Sequence, residues 1–288
     1  GQSDMLRDGT SRHEQMIHHH QFDVAEFSMS TFLMAIDRGV PLIGVPIFPR
    51  RLFSQSCMFV AADSDIEKPS DLIGRKVGLS SFQTTLSLLA KGDLKFEYGV
   101  PWEEIRWLLT TAEKVKFDPK PGVSIEYAPK GTDLGLLLAQ GEIDAIFMPH
   151  PPQSVMKGTV KTRRLFRDTE AEEKRYFDKL GYWPIMHIVA MAPSLAKDHP
   201  ELPAALMDMF AQAHHICDDY YSDPNWARLP GIRHLYEASR AKFGDPWVNG
   251  FARNRRNLER FIQYSHDQGL ISECYAPERL FVESTLGS

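Results

Sequence analysis

Strand signals and helix signals alternate along most of this chain of 288 residues. Amphipathic segments with helical spacing lie between short apolar runs that are typical of strands. Such alternation favours an α/β fold, in which helices cover the faces of sheets. The length suits two lobes of ordinary size. The clearest strand signals lie at residues 42–48, 55–61, 143–148 and 184–193.

The expected lobe boundary lies in a polar connector, ADSDIEKPSDLIG, which carries Pro69 and Gly74. Proline and glycine are the residues that most often interrupt regular structure. The apolar run that starts at Pro184 predicts a strand that returns the chain to the first lobe. The predicted lobes are residues 1–62 with 188–288, and residues 63–187. Helices are also predicted at residues 11–20, 203–221 and 251–268.

The composition excludes several classes of protein. With 33 basic and 38 acidic residues, the net charge of -5 argues against nucleic acid as a partner. No apolar run reaches the roughly 20 residues that a membrane span needs. The start of the chain is polar and lacks the apolar core of a signal peptide, so a cytoplasmic protein is expected. Cys57, Cys217 and Cys274 lack CxxC spacing and indicate free thiols in a reducing compartment.

Two histidines lie at the ends of predicted strands. His150 follows the strand IDAIFM in a loop held by prolines, and His187 lies near the start of the run PIMHIVAMAP. Ligands of open α/β sheets bind beyond the carboxyl ends of the strands, so His150 lies where a site is expected. The alternative for both histidines is a structural role, with their ring nitrogens hydrogen-bonded within the protein. The run His18–His20 is contiguous and is expected at the surface.

A predicted helix start follows the strand RKVGL. Ser80 and Ser81 can cap a helix that begins near Phe82, and its free N–H groups would attract a carboxylate or a phosphate. Hydroxyls of Thr84 and Thr85 would add donors. Simple N-capping is the alternative. The sequence contains no Walker or GxGxxG phosphate loop, no HExxH zinc motif and no GxSxG nucleophile elbow.

Several segments together resemble the 4,5-dihydroxyphthalate decarboxylase family. They follow one another in the family's order over nearly the whole chain, and they read FDVAEFSMSTFLMA, IGVPIFPRRLFSQS, GRKVGLSSFQTT, GEIDAIFMPHPP, PIMHIVAMAPSLAKDHPEL and NRRNLERFIQYSHDQGL. The resemblance implies a fold similar to type II periplasmic substrate-binding proteins. In that fold each lobe is a sheet flanked by helices, and the ligand cleft lies between the lobes.

The resemblance also implies a reaction, in which 4,5-dihydroxyphthalate loses CO₂ and leaves 3,4-dihydroxybenzoate. Direct loss of CO₂ would leave charge in an aryl orbital that cannot delocalise it. Removing the proton of the hydroxyl para to the departing carboxylate instead raises electron density at the ipso carbon, which is then protonated. This route needs one base, one acid and donors for two carboxylates, and no cofactor, because the phenol accepts the electrons itself.

Candidate residues for these roles lie in the matching segments. Histidine can take and give protons near neutral pH, so His150 and His187 are the predicted acid and base, in either order. Glu26 is predicted either to accept a catechol proton or to pair with Arg51. Arg51, assisted by Arg50, is predicted to bind a carboxylate. The neutral donors expected around the ring are Gln55, Ser56, Ser80, Ser81, Gln83 and Thr84.

Three alternatives stay open at this point. The same fold serves non-catalytic proteins that bind an aromatic carboxylate for transport. His150, His187 and Glu26 could instead be ligands of a divalent metal ion, although the metal-free reaction is preferred. The expected partner is a small aromatic dicarboxylate, and a homo-oligomer is left open.

Overall fold

The computed structural model describes residues 15–16, 21–223 and 225–288. Within these ranges the chain forms two β-sheets flanked by helices. The predicted helix at residues 11–20 lies outside the described residues except for Gln15 and Met16, and so does the run His18–His20. No helix among the described residues is long and apolar enough to cross a membrane.

The first sheet has three strands, with β9 in the centre and β1 and β2 antiparallel to it on either side. Its strands are β1 (Val24–Ser28), β2 (Ile43–Val45) and β9 (His187–Met191). Ser28 pairs with His187 and Glu26 pairs with Val189. Ala25 and Phe27 point into the core, so Glu26 and Ser28 share the opposite face of β1.

The second sheet has six strands in the order β6-β5-β4-β7-β3-β8. They are β3 (Met58–Ala61), β4 (Lys76–Leu79), β5 (Arg106–Leu109), β6 (Ile125–Tyr127), β7 (Ala145–Phe147) and β8 (Thr162–Arg164). Strands β4 to β7 are parallel, whereas β3 is antiparallel to both of its neighbours. The carboxyl ends of β4, β5 and β7 therefore meet at one edge, where α/β proteins bind ligands.

Nine α-helices cover the sheets in the described part of the chain. They are α1 (Met29–Asp37), α2 (Thr85–Phe96), α3 (Leu134–Ala139), α4 (Gln153–Met156), α5 (Thr169–Leu180), α6 (Pro193–Asp198), α7 (Leu202–Ser222), α8 (Ile232–Phe243) and α9 (Phe251–Asp267). Side-chain oxygens of Thr84, Asp133 and Asp168 cap α2, α3 and α5. Gly181 ends α5 in the left-handed region that glycine favours.

The pairing of β3 bears on the predicted lobes. The predicted boundary follows residue 62, but Met58–Ala61 pairs with β7 and β8 of the second sheet. The change of sheet thus comes earlier, in the segment between β2 and β3. β9 returns the chain to the first sheet, as the apolar run from Pro184 predicts. The exact lobe limits stay a prediction.

A buried carboxylate joins several of these elements. Asp93 of α2 is fully buried and accepts hydrogen bonds from Ser54 Oγ at 2.6 Å, Tyr176 OH at 2.9 Å and Tyr264 OH at 3.0 Å. The donors lie before β3, on α5 and on α9. Burial disfavours the charged carboxylate and raises the pKa of Asp93 to about 6, although the three hydroxyl donors oppose the shift.

This raised pKa predicts a pH dependence of stability. The folded state binds the proton more tightly than the unfolded state, so Asp93 adds stability that is complete below about pH 4 and is lost as the pH rises through about 6. We expect Asp93→Asn to remove this contribution. Urea unfolding of both proteins at pH 5 and pH 7.5 measures it. The free energy of unfolding of the wild type, relative to that of the variant, should be higher at pH 5 than at pH 7.5. The same difference at both pH values would contradict the assignment.

Candidate active site

Glu26 and His187 are diagonal neighbours on the same face of the first sheet. Paired residues of antiparallel strands share a face, and Glu26 lies two residues before Ser28, the partner of His187. His187 Nδ1 lies 2.7 Å from Glu26 Oε1. A carboxylate in this position favours the tautomer with the proton on Nδ1, in which Nε2 is the unprotonated ring nitrogen.

Arg50 completes this group. Its Nε lies 2.8 Å from Glu26 Oε1, and its backbone carbonyl accepts a hydrogen bond from Met186 N at 2.9 Å. The Arg50 side chain is 57% exposed, whereas those of Glu26 and His187 are 19% and 17% exposed. We call these three residues the Glu26 cluster. Glu26 therefore pairs with Arg50, and the predicted pairing with Arg51 is wrong.

Arg51 lies inside the protein. Its guanidinium donates to the carbonyls of Trp183 and Val248 at 2.8 and 2.7 Å and to Asn254 Oδ1 at 2.8 Å. The residue is 6% exposed, and burial lowers its pKa to about 10. Arg51 forms an isolated β-bridge with Ile185, and successive side chains of such an extended segment point to opposite sides, so Arg50 and Arg51 point in different directions. This placement does not favour the predicted carboxylate-binding role of Arg51.

The start of α2 approaches the Glu26 cluster from the second sheet. Thr85 Oγ1 lies 2.6 Å from Ser28 Oγ and accepts a hydrogen bond from Ser30 N at 3.2 Å. Ser28 is the strand partner of His187. Thr84, the residue before Thr85, caps α2 by accepting a hydrogen bond from Ser87 N at 3.3 Å. The helix start and the histidine thus lie at the same junction between the two sheets.

The predicted anion site before this helix is already filled by a protein carboxylate. Phe82 N and Gln83 N donate to the two carboxylate oxygens of Glu113, at 2.6 and 3.3 Å. The Gln83 side chain bonds Glu113 and the backbone of Val115. Gln83 therefore has internal partners, and Glu113, in an irregular loop after β5, could not be found from any sequence pattern.

Other predicted donors divide between this edge and the interior. Ser80 is half-buried and Ser81 is buried, both just beyond β4. Gln55 is fully buried and donates to Tyr98 OH at 2.9 Å. Ser56 Oγ donates to the carbonyl of Phe53 at 3.1 Å. The last two bind the protein itself, as Thr84 does through Ser87, which places Ser80 and Ser81 ahead of them as ligand donors.

His150 is exposed in the loop that follows β7. Because β7 and β4 are parallel neighbours, this loop and the Ser80 loop leave the sheet at the same edge. Among residues 15–16, 21–223 and 225–288, no side-chain hydrogen bond or ion pair of His150 is found. Its pairing with His187 in the reaction stays a prediction.

The metal-binding alternative for His150, His187 and Glu26 stays untested. In the described part of the chain, no group of three or more His, Cys, Asp or Glu side chains is arranged to hold a metal ion. The Glu26 cluster offers one carboxylate and one imidazole, and the arginine beside them contributes positive charge. These residues fit the binding of an anion better than the binding of a cation.

A separate cavity of about 450 Å³ lies between α7, α8 and the loop at residues 245–247. Pro49, the residue before Arg50, lines this cavity. Glu26, His150 and His187 do not line it, so the cavity is separate from the candidate site. Its aromatic lining comes from Trp183, Tyr221, Tyr236 and Trp247.

The fold and this junction define a two-lobe α/β protein of the type II periplasmic-binding-protein kind. The periplasmic aliphatic sulphonate binding protein SsuA from Escherichia coli matches it with a TM-score of 0.58 at 14% identity, over 97% of this chain and 86% of that chain. A DSZB mutant in complex with biphenyl-2-sulfinic acid gives 0.57 at 16% identity, over 100% and 93%. At such identities the likeness establishes the fold alone.

The chain belongs to the 4,5-dihydroxyphthalate decarboxylase family. The 4,5-dihydroxyphthalate decarboxylase of Comamonas testosteroni is 33% identical over 277 residues, which cover 93% of this chain and 84% of that protein. The protein of the same name from Pseudomonas putida is 28% identical over 185 residues, covering 62% and 72%. Residues 6–97 also match the NMT1/THI5 like family. The resemblance seen in the sequence segments is confirmed, and the family is one of carboxy-lyases.

Proposed function

We propose that this protein converts 4,5-dihydroxyphthalate to 3,4-dihydroxybenzoate and CO₂ by protonating the ring at the ipso carbon. The observation that carries the proposal is the Glu26 cluster, which combines an oriented imidazole with an arginine in a member of this family. A protein that only binds an aromatic carboxylate needs the arginine but has no use for a histidine held by a carboxylate.

His187 is the base in this proposal. With Nδ1–H donated to Glu26, its Nε2 accepts the proton of the hydroxyl para to the departing carboxylate. Glu26 then stabilises the imidazolium that forms, and Arg50 binds the same carboxylate oxygen. Glu26 in this role orients His187 and does not take the proton itself.

His150 supplies the proton to the ring in this proposal. The phenolate pushes an electron pair to the ipso carbon, which takes a proton from the imidazolium of His150. The bond to the carboxylate then breaks, its electrons restore the aromatic ring, and CO₂ leaves. The phenolate that results takes back the proton held by His187. The net change is one proton gained and one CO₂ lost, so no redox partner is required.

Arg50 and the start of α2 would hold the substrate. The guanidinium of Arg50 binds the carboxylate that stays on the ring through its exposed nitrogens, while Nε remains on Glu26. Hydroxyls of Ser80 and Ser81 donate to the other polar substituents. Arg50 thus takes, in this proposal, the carboxylate-binding role predicted for Arg51.

One experiment tests this function against its alternatives. We expect purified protein in D₂O to release CO₂ from 4,5-dihydroxyphthalate and to leave deuterium at the vacated ring carbon, as measured by NMR of the product. Binding of the compound without CO₂ release would instead identify a non-catalytic binding protein. Loss of turnover with a chelator, and recovery with a divalent ion, would identify the metal-dependent reaction.

A further inference from the structure

The peptide between Phe82 and Gln83 is held by charged groups from two sides. Glu113 Oε1 and Oε2 accept the N–H groups of Phe82 and Gln83 at 2.6 and 3.3 Å. From α2, Lys91 Nζ donates to the carbonyl of Phe82 at 2.8 Å. We call Lys91, Phe82, Gln83 and Glu113 the Phe82 clamp.

Burying the Lys91 side chain at this position is energetically unfavourable. It is 0% exposed, and its ammonium lies among the rings of Phe82, Trp102 and Trp107. Desolvation lowers the pKa of Lys91 well below its usual value, and Glu113 is the acidic group that opposes this shift. Burying a charge is unfavourable unless nearby charges and hydrogen bonds compensate for it, and here the Phe82 carbonyl and the charge of Glu113 offset part of that cost.

The clamp lies in the middle of the loop that carries the proposed substrate donors. On one side, Ser80 is fixed because its carbonyl accepts Thr111 N at 2.8 Å. On the other side, Thr85 Oγ1 reaches Ser28 of the first sheet at 2.6 Å. Fixing the central peptide therefore fixes both the hydroxyls that precede it and the contact with the strand partner of His187.

We propose that Lys91 and Glu113 are positioning residues, which hold the Ser80–Thr85 loop in the conformation that binds the substrate. This inference rests on the proposed function. Neither residue touches the substrate, and their effect passes through the backbone of Phe82 and Gln83. A small displacement of such a loop weakens several hydrogen bonds to the ligand together.

The test uses Glu113→Gln, Lys91→Met and the double variant. Glutamine keeps an acceptor for Phe82 N but removes the charge, and methionine keeps the volume of the lysine stem. We expect each single change to raise KM about tenfold or more while kcat changes less than about threefold. The double variant should resemble the single ones, because the two residues act together. Titration with phthalate, which lacks the reactive hydroxyls, should show the same loss of affinity.

The same helix offers a matched control. Lys95 of α2 pairs with Glu103 at 2.5 Å and with Asp267 at 2.6 Å, away from the loop, so Lys95→Met makes the same substitution on the same helix and should leave KM unchanged. An unchanged KM in Glu113→Gln would overturn the proposal. Tighter phthalate binding in that variant would also overturn it, since Glu113 would then compete with the substrate for the two N–H groups.

Hydrogen exchange separates failure of the clamp from failure of the proposed function. Amides of residues 82 and 83 should be protected in the wild type and exchange faster in both single variants, whatever the ligand is. Unchanged exchange would overturn the clamp. If the variants exchange faster but the wild type neither binds phthalate nor releases CO₂, the clamp is supported and the proposed function is overturned.

Discussion

His187→Gln is expected to lower kcat for 4,5-dihydroxyphthalate by about 10²-fold or more, because glutamine keeps a hydrogen bond to Glu26 but cannot carry the proton. KM should change little, since the imidazole is not the main anchor of the substrate. Steady-state release of CO₂ measures both constants. Glu26→Gln should lower kcat by less, about tenfold, because it weakens only the orientation of His187 and the stabilisation of its charge.

A matched control is available in His199, which also lies near a carboxylate, Glu201, at 3.6 Å, but on the surface. His199→Gln should have normal kcat. Near-normal kcat in His187→Gln would remove His187 from the reaction. A large drop in His150→Gln together with normal turnover in His187→Gln would instead assign both proton transfers to His150.

Arg50→Ala is expected to weaken binding of phthalate by about 10- to 100-fold, which corresponds to the loss of a charge-assisted carboxylate contact. Arg50→Lys should recover only part of this affinity, because an ammonium cannot bind Glu26 and a ligand with the same planar geometry. Isothermal titration measures the affinity. The free energy of unfolding should change little, because the Arg50 side chain is 57% exposed.

Arg51 provides the opposite control. Arg51→Met removes buried hydrogen bonds to two backbone carbonyls and to Asn254, and should lower the free energy of unfolding by about 3 kcal/mol. Any protein that still folds should bind phthalate nearly as the wild type does. The reverse result, with a loss of affinity in Arg51→Met and none in Arg50→Ala, would restore Arg51 as the substrate-binding arginine.

In the structure, His187 and Arg50 both contact the carboxylate of Glu26, and this arrangement sets their relative positions. Arg50 alone would hold a substrate anion, and Glu26 alone would orient the imidazole. Sharing Glu26 Oε1 fixes the guanidinium and the ring relative to each other, at 2.8 and 2.7 Å. In the proposed mechanism the bound carboxylate and the proton acceptor are therefore set at a constant separation.

Local sequence patterns determined much of the fold. Apolar runs at residues 42–48, 55–61, 143–148 and 184–193 each contain a strand, and the alternation with helices gave the correct class. β5 and β8 are not predicted, because strands of four and three residues are too short to show a clear periodicity. Helices α5 and α8 were missed as well, although α5 carries a capping Asp168 and an acidic first turn.

The sequence by itself also determined the family and the segments that carry the candidate site, including Glu26, Arg50 and His187. Only the tertiary structure decided which of these side chains meet. Adjacent residues of an extended segment point to opposite sides, so Arg50 meets Glu26 while its neighbour Arg51 binds Asn254 in the interior. Glu113 fills the expected anion site from a loop about thirty residues away, and such long-range pairing leaves no periodic signal in a chain.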